Sequence, residues 1–294
     1  MLDFKKPELT DKEWIDKALN NSGRMGSEAC FGNLFMWCDA YDCTVAKKDG
    51  TLICKAGNSY TYPVGGENPD KVFSELTDLY KKEGKSLKLH CLCDVQVEKI
   101  EKDFPGLFTF SEDRAFSDYI YRVEDLAELK GKKYHGKRNH ISFFEKNFDW
   151  TYEEMTADTA RECFEFSTYW MKTNKDKIEL GADDEYIAIQ RALHYFDNLG
   201  LRGGILRIQG EIVAYTFGER ISDRLFCTHV EKAVSDIRGA YPMINREFAR
   251  NTIAGYELVN REEDLGIPGL RKAKESYKPE LLLTKYTAAF AKEN

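Results

Sequence analysis

The sequence predicts an α/β protein made of two domains in tandem, each with a mixed, largely antiparallel sheet. Three observations carry this. The chain has 294 residues, enough for two cores. Between Gly203 and Glu231, three β-rich runs are separated by the two-residue turn signals Gln209-Gly210 and Ser222-Asp223, the pattern of an antiparallel meander. That meander passes through Gly239 into a helix with Pro242 in its first turn, where a missing amide costs nothing. The first ~130 residues carry the same order of elements, with no residue-level repeat. The expected domains are 1–130 and 131–294, the second carrying the site.

Composition narrows the class. Hydrophobic residues make up 42% and aromatics 13%, as in a folded globular chain. The net charge of −7 disfavours wholesale binding to nucleic acid or an anionic membrane, so any such contact needs a local basic patch. No apolar run reaches the ~18 residues of a membrane span, and the N-terminus lacks the apolar core of a signal peptide, so a cytoplasmic protein is expected. The eight cysteines form no C-x-x-C pair, and Cys91 and Cys93 would point to opposite faces of a strand. They read as small buried hydrophobes, with no disulfide framework and no metal.

The elements follow in order. Thr10 and Glu13 form a capping box for a helix to Leu19. Ser27–Cys38 is apolar at helical spacing, with Cys30, Leu34 and Trp37 on one face. Cys43–Lys47, Leu52–Lys55 and Tyr60–Tyr62 make a first meander. Pro69–Lys82 is an amphipathic helix with Val72, Phe73, Leu76, Leu79 and Tyr80 inward and Gly84 as its stop. Strand Leu87–Leu92, helix Val95–Phe104 and strand Ala115–Val123 follow. The second half has strand Asp149–Glu153, helices Thr159–Lys172 and Asp184–Leu199, the second meander, helix Tyr241–Ile253, strand Tyr256–Asn260, helix Gly269–Ser276 and strand Leu281–Tyr286.

Four stretches carry candidate chemistry. Strand, glycine loop and helix start at Asp236–Tyr241 present backbone N–H groups and a positive dipole end to an anion, with Arg238 beside them. A two-residue turn at Ser222-Asp223 would set His229 opposite Thr216 and Glu231 opposite Ala214, both on one sheet face. Either could serve as a base, with Lys232, Arg238 or a backbone amide steadying an oxyanion. On Gly269–Ser276, Leu270, Ala273 and Tyr277 are expected inward and Arg271, Lys274 and Lys278 outward. Glu262 or Asp264 would then bind an ammonium, and Arg271 and Lys274 phosphates. The Lys130–His140 linker, rich in bases and free of acids, offers Lys137, Arg138 and Asn139 to phosphate oxygens. No P-loop, H-E-x-x-H, Ser-His-Asp order or Rossmann fingerprint is present.

A meander feeding a glycine loop and a helix resembles the plan of GNAT acyltransferases. Asp236 stands where their pyrophosphate pattern calls for a basic or amide residue, which counts against acetyl-CoA. A more specific similarity lies in His229-Val-Glu-Lys-Ala, Asp236-Ile-Arg-Gly-Ala-Tyr, Asn245, Asn260-Arg-Glu-Glu-Asp-Leu-Gly, Gly269-Leu-Arg-Lys-Ala-Lys and Tyr277-Lys-Pro, with Tyr134 and Lys137-Arg-Asn139 upstream. These resemble the catalytic domain of phosphatidylglycerol lysyltransferases. The resemblance implies two tandem GNAT-like domains, a fold shared with Fem-type aminoacyltransferases, and an aminoacyl-tRNA donor with no cofactor. It adds Asp236, Arg238, Gly239, Tyr241, Asn245, Glu262, Asp264, Arg271 and Lys274 as substrate-binding residues. The acceptor would be an amine or hydroxyl, on a lipid or a small molecule. The alternatives are an acyl-CoA-dependent N-acyltransferase and a non-catalytic binding module of the same fold.

Overall fold

The computed structural model describes residues 2–20, 22–173 and 182–291. The chain divides into two compact units. One comprises Met1–Asp118, Glu263–Ile267 and Leu282–Asn294, the other Tyr119–Glu262 and Pro268–Leu281. Compared with the expected division at 130/131, the helix and linker after residue 118 lie in the second unit, and the last strand lies in the first.

In the first unit, a 3-10 turn at Leu9–Asp11 leads into α1 (Lys12–Asn20). Its cap is Glu8, whose N–H donates to Asp11 Oδ2 at 2.9 Å, so the expected Thr10–Glu13 box lies inside the helical segment. α2 (Phe31–Met36) is shorter than expected because Ser27–Ala29 forms a separate 3-10 turn. Cys30, Phe31, Phe35 and Met36 are buried, whereas Leu34 and Trp37 are only half-buried. β1 (Cys43–Lys48), β2 (Thr51–Ala56), β3 (Ser59–Tyr60) and β4 (Val64–Gly65) form the first meander. α3 (Pro69–Lys82) has the expected bounds, with Asn68 Oδ1 accepting from the Lys71 N–H at 2.9 Å and Pro69 in the first turn. Its inward stripe is Val72, Phe73, Leu76 and Thr77, while Leu79 is exposed. β5 (Lys88–Leu92), α4 (Asp94–Asp103) and β6 (Phe108–Glu112) follow. β6 escapes a sequence reading because its alternation lasts only five residues. Phe73, Leu76, Leu87, Leu92, Ile100 and Phe108 fill the core, each worth roughly 1.5–3 kcal/mol on burial.

The second unit opens with β7 (Asp118–Arg122), which starts later than expected because Arg114–Phe116 is a 3-10 turn, and continues with α5 (Val123–Glu128). The expected basic linker is mostly helix, α6 (His135–Asn147), held by buried Ile141 and Phe144 at i, i+3. Its charge had masked its periodicity. β8 (Trp150–Glu154), α7 (Ala157–Thr173), α8 (Ala182–His194) and α9 (Phe196–Leu199) precede the long meander β9 (Arg202–Ile208), β10 (Glu211–Arg220) and β11 (Leu225–Ala233). Then come α10 (Ala240–Glu247), a π-helical turn (Phe248–Thr252), β12 (Leu258–Asn260), α11 (Pro268–Glu275), β13 (Leu281–Leu283) and β14 (Tyr286–Phe290). The single expected strand Leu281–Tyr286 is therefore two strands, and they enter different sheets.

Among the described residues there are two seven-stranded sheets. The first runs β1-β2-β3-β5-β14-β6 with β4 beside β2, the second β13-β7-β12-β11-β10-β9-β8. Most neighbours are antiparallel; β3–β5 and β11–β12 are parallel. The β9–β10 turn is the expected Gln209-Gly210 pair, at φ 51° and 87°. The next turn differs: Arg220 pairs with Phe226, and a bulge at His229 sets Phe217 opposite Val230 and Gly218 opposite Thr228. Together these shifts set Glu231 opposite Thr216 and Ala233 opposite Ala214, two residues from the expected register. Gly218 permits the bulge, since a Cβ there would lie 1.8 Å from the Cys227 carbonyl oxygen. Gly218→Ala should therefore lower stability by ~2–4 kcal/mol, whereas Gly255→Ala, in open space, should stay within ~0.5 kcal/mol. Urea unfolding midpoints of the two variants check this.

Candidate functional site

β11 and β12 pair only through Leu225–Cys227 and Leu258–Asn260. Past that point β11 stays on β10 as far as Ala233. The chain after Asn260 leaves β11, pairing Arg261 N–H to the Tyr119 carbonyl at 2.9 Å. The two strands thus part, and charged side chains fill the opening.

Arg261 Nη2 donates to Glu231 Oε1 across the gap at 3.0 Å, and Asn245 Nδ2 on α10 donates to Glu231 Oε2 at 3.1 Å. The side chains of this ion pair are only 11% and 13% exposed, Arg261 first. The guanidinium lies over the rings of Tyr277 and Tyr121, at 4.9 and 5.5 Å. Lys137, in the first turn of α6, sets its ammonium 3.7 Å from the Tyr277 centroid. Tyr277 is held from behind by Tyr134, whose hydroxyl donates to the Tyr277 carbonyl at 3.0 Å. Two buried polar atoms here, Arg261 Nη1 and Asn245 Oδ1, make no hydrogen bond among the described residues. Each such atom costs ~1–3 kcal/mol unless a ligand or solvent meets it. A free donor and a free acceptor at one opening suit a polar substrate.

The electrostatics separate the two cations. Burial pulls the Lys137 pKa down to about 8, the Arg261 charge adds to this, and Glu231 opposes it. Burial works most strongly against the Arg261 charge, but Glu231, Tyr121 and Tyr277 together outweigh it and hold that pKa above its ordinary value. Burial lifts the Tyr277 phenol well above the usual range. Arg261 is thus a fixed cation beside an amine that titrates near neutrality.

Of the residues expected from sequence, Lys137, Glu231 and Asn245 meet here. Lys137 lies over an aromatic ring and is not on a solvated basic face. Arg138 donates to the Leu129 and Gly131 carbonyls, so its guanidinium is committed to the backbone, while Asn139 is exposed beside His135. His229 and Glu231 do not share partners. Both ring nitrogens of His229 meet carboxylates, Glu219 at 3.0 Å and Glu262 at 2.8 Å, and its side chain is fully enclosed. Lys232 makes two bonds to Glu185, at 2.7 and 2.8 Å, and lies 4.4 Å from the Trp170 ring.

The glycine loop is backed by protein. Gly239 has φ 94°, and a Cβ there would lie 2.4 Å from the His140 carbonyl. Arg238 is exposed and stacks on Phe143 at 4.4 Å, and Asp236 is exposed beside Ser235. Burial pushes the Tyr241 phenol up to about 12. On and after α11, Tyr277 is buried and Lys278 exposed as expected, but two positions are reversed: Lys274 is buried, donating to the Arg261 and Glu262 carbonyls at 2.5 and 3.0 Å, and Ala273 is exposed. Two carbonyls at the strand end make a better partner for that ammonium than an alanine methyl would. Arg271 is half-buried. Asp264, in the first unit, is fully buried and paired with Arg114 at 3.0 Å.

Sequence reasoning did not single out Arg261 or Tyr121 as site residues, and it read Tyr277 only as an inward packing residue. Arg261 follows a three-residue strand whose partner lies 30 positions upstream at Glu231, a relation that no local spacing displays.

Meander, helix, parted parallel strand and second helix define a GNAT-like acyltransferase fold. The chain matches the family described as phosphatidylglycerol lysyltransferase, C-terminal, over residues 20–289, and belongs to it. A conserved protein of unknown function from Bacteroides thetaiotaomicron is 42% identical, with a TM-score of 0.93 over 99% of this chain and 100% of that one. L-PGS from Bacillus licheniformis shares the fold at 17% identity and a TM-score of 0.65, over 99% of this chain and 94% of that one. An uncharacterized Mycoplasmoides gallisepticum protein is 22% identical over 173 residues, 58% of this chain, and that match spans about half, 55%, of its length. Among the described residues, no helix is long and apolar enough to cross a membrane.

Lys137 gives a signed pH prediction. With its folded pKa near 8 and its ordinary value 10.5, the unfolded chain binds more protons between those values. Its contribution to stability should therefore rise with pH through that window. Stability measured at pH 7.5 and ~9.5 should show this rise in the wild type relative to Lys137→Met; parallel curves would contradict it.

Proposed function

We propose that this protein transfers an aminoacyl group from aminoacyl-tRNA to an amine or hydroxyl acceptor, using the opening between β11 and β12. The observation that carries the reading is the Glu231–Arg261 pair with its buried, unmatched Nη1 donor beside a near-neutral Lys137. The acceptor's nucleophile attacks the ester carbonyl of the donor, and neutral Lys137 takes the proton it loses. The negative charge formed on the carbonyl oxygen is met by Arg261 Nη1. Collapse of the tetrahedral species breaks the ester C–O bond, and the Lys137 ammonium returns the proton to the departing ribose hydroxyl. Glu231 keeps Arg261 charged and in place, and Asn245 orients Glu231. Family membership and fold support the acyltransferase class. The family's description, phosphatidylglycerol lysyltransferase, supports phosphatidylglycerol as acceptor and a lysyl donor as first choice. Contacts to tRNA phosphates would come from the exposed lysines just before α6, Lys130, Lys132 and Lys133.

The test is transfer of labelled amino acid from charged tRNAs, lysyl-tRNA first, to phosphatidylglycerol vesicles and to small amines. Arg261→Met should cut kcat/KM by ~10²–10³, and Lys137→Met by ~10². Binding of tRNA should weaken steeply with salt as counterions are released. A saturable calorimetric response to acyl-CoA with none to charged tRNA would replace this reading by an acyl-CoA enzyme. Retained ligand binding with no turnover from any donor would make the protein a binding module.

A further inference from the structure

We propose that Cys227, His229 and Glu262 form a binding site for a divalent, zinc-type cation at the root of the opening, separate from the Glu231–Arg261 pair. The three donor atoms form a compact triangle: His229 Nδ1 to Glu262 Oε1 2.8 Å, Cys227 Sγ to His229 Nδ1 3.6 Å, and Cys227 Sγ to Glu262 Oε1 3.9 Å. Zinc bonded tetrahedrally to sulfur, nitrogen and oxygen at their usual lengths needs donors roughly 3.3–3.7 Å apart. Widening the His229–Glu262 contact by about half an ångström and closing the Cys227–Glu262 distance by about 0.2 Å gives that geometry.

The outer arrangement fits as well. His229 Nε2 meets Glu219 Oε1 at 3.0 Å, so a carboxylate orients the ring from behind and fixes Nδ1 as the ligating nitrogen. Histidine and thiolate with one carboxylate form a donor set that favours zinc over calcium or magnesium. The scaffold is rigid. His229 is the bulged residue of β11, Cys227 pairs with Asn260, and Asn260 Oδ1 accepts from the Glu262 N–H at 2.7 Å, holding the turn that aims Glu262. The His229 side chain is fully enclosed, and Glu219 and Glu262 are 6% and 18% exposed. Three protein donors leave one position for water or another donor. An ion there would clamp β11 to the segment after β12 just where they part.

The competing arrangement is an imidazolium shared by Glu219 and Glu262 with no metal, and the two give opposite results. The full-length protein is stripped with a chelator and titrated with Co²⁺, then Zn²⁺. The expected outcome is one equivalent of Co²⁺ per chain with a near-ultraviolet thiolate-to-cobalt charge-transfer band, displaced by Zn²⁺. Cys227→Ser should abolish the band, and Glu219→Gln should weaken Co²⁺ affinity ten- to a hundredfold. Sub-stoichiometric uptake, or a band unchanged in Cys227→Ser, overturns the proposal. If circular dichroism shows that Cys227→Ser does not fold, Glu219→Gln decides, and an unchanged affinity overturns it.

Discussion

The parting of β11 from β12 is the constraint on which the second unit's chemistry depends. Two parallel strands that stayed paired would satisfy their backbone groups with each other and leave no place for a substrate. Here pairing stops at Cys227 and Asn260, and the exposed edges need other partners. The chain after Asn260 finds one in Tyr119, whose carbonyl and amide bond Arg261 and Glu262. Lys274 takes the remaining carbonyls. Only then can Arg261 project its charge between the strands and meet Glu231. A buried ion pair of this kind adds little net stability, because desolvation offsets the attraction. Under the proposed transfer, its part is to hold a fixed cation for the developing oxyanion.

Much of the architecture was legible because local rules and tertiary packing agreed. Pro69–Lys82 has a cap, an early proline and an apolar stripe, and its bounds match. The Gln209-Gly210 turn specifies its own geometry through two positive φ angles. Legibility failed where a long-range interaction overrode a local signal. A strand bulge at His229, made possible by Gly218, moved the register of β11. A single misplaced pair of this kind reassigns the neighbours of every side chain along the strand. In α6 the charges of Lys130–His140 concealed two buried residues, Ile141 and Phe144, that make the segment a helix.

The site was visible in its parts and not in its assembly. Lys137, Glu231 and Asn245 come from α6, β11 and α10; the first two stood out by residue type and Asn245 through the family resemblance. Arg261, which joins them, follows a strand that the sequence did predict, but its partner Glu231 lies 30 positions upstream, where no local pattern points. Lys274 illustrates the converse. Helical spacing assigned it to solvent, yet its ammonium is buried because carbonyls at the end of β12 receive it. Helix periodicity ranks side chains by hydrophobicity, and a satisfied buried cation violates that ranking without violating any physical rule.

The strand order of the first sheet has a bearing on how the chain is made. β14 lies between β5 and β6, pairing with both, although it is synthesised after the whole of the second unit. A ribosome therefore releases β5 and β6 long before the strand that joins them. Until β14 is made, their inner edges carry unpaired amides and carbonyls of the sort that invite aggregation. The sheet of the first unit is thus begun before the second unit's chain is made and completed only after it.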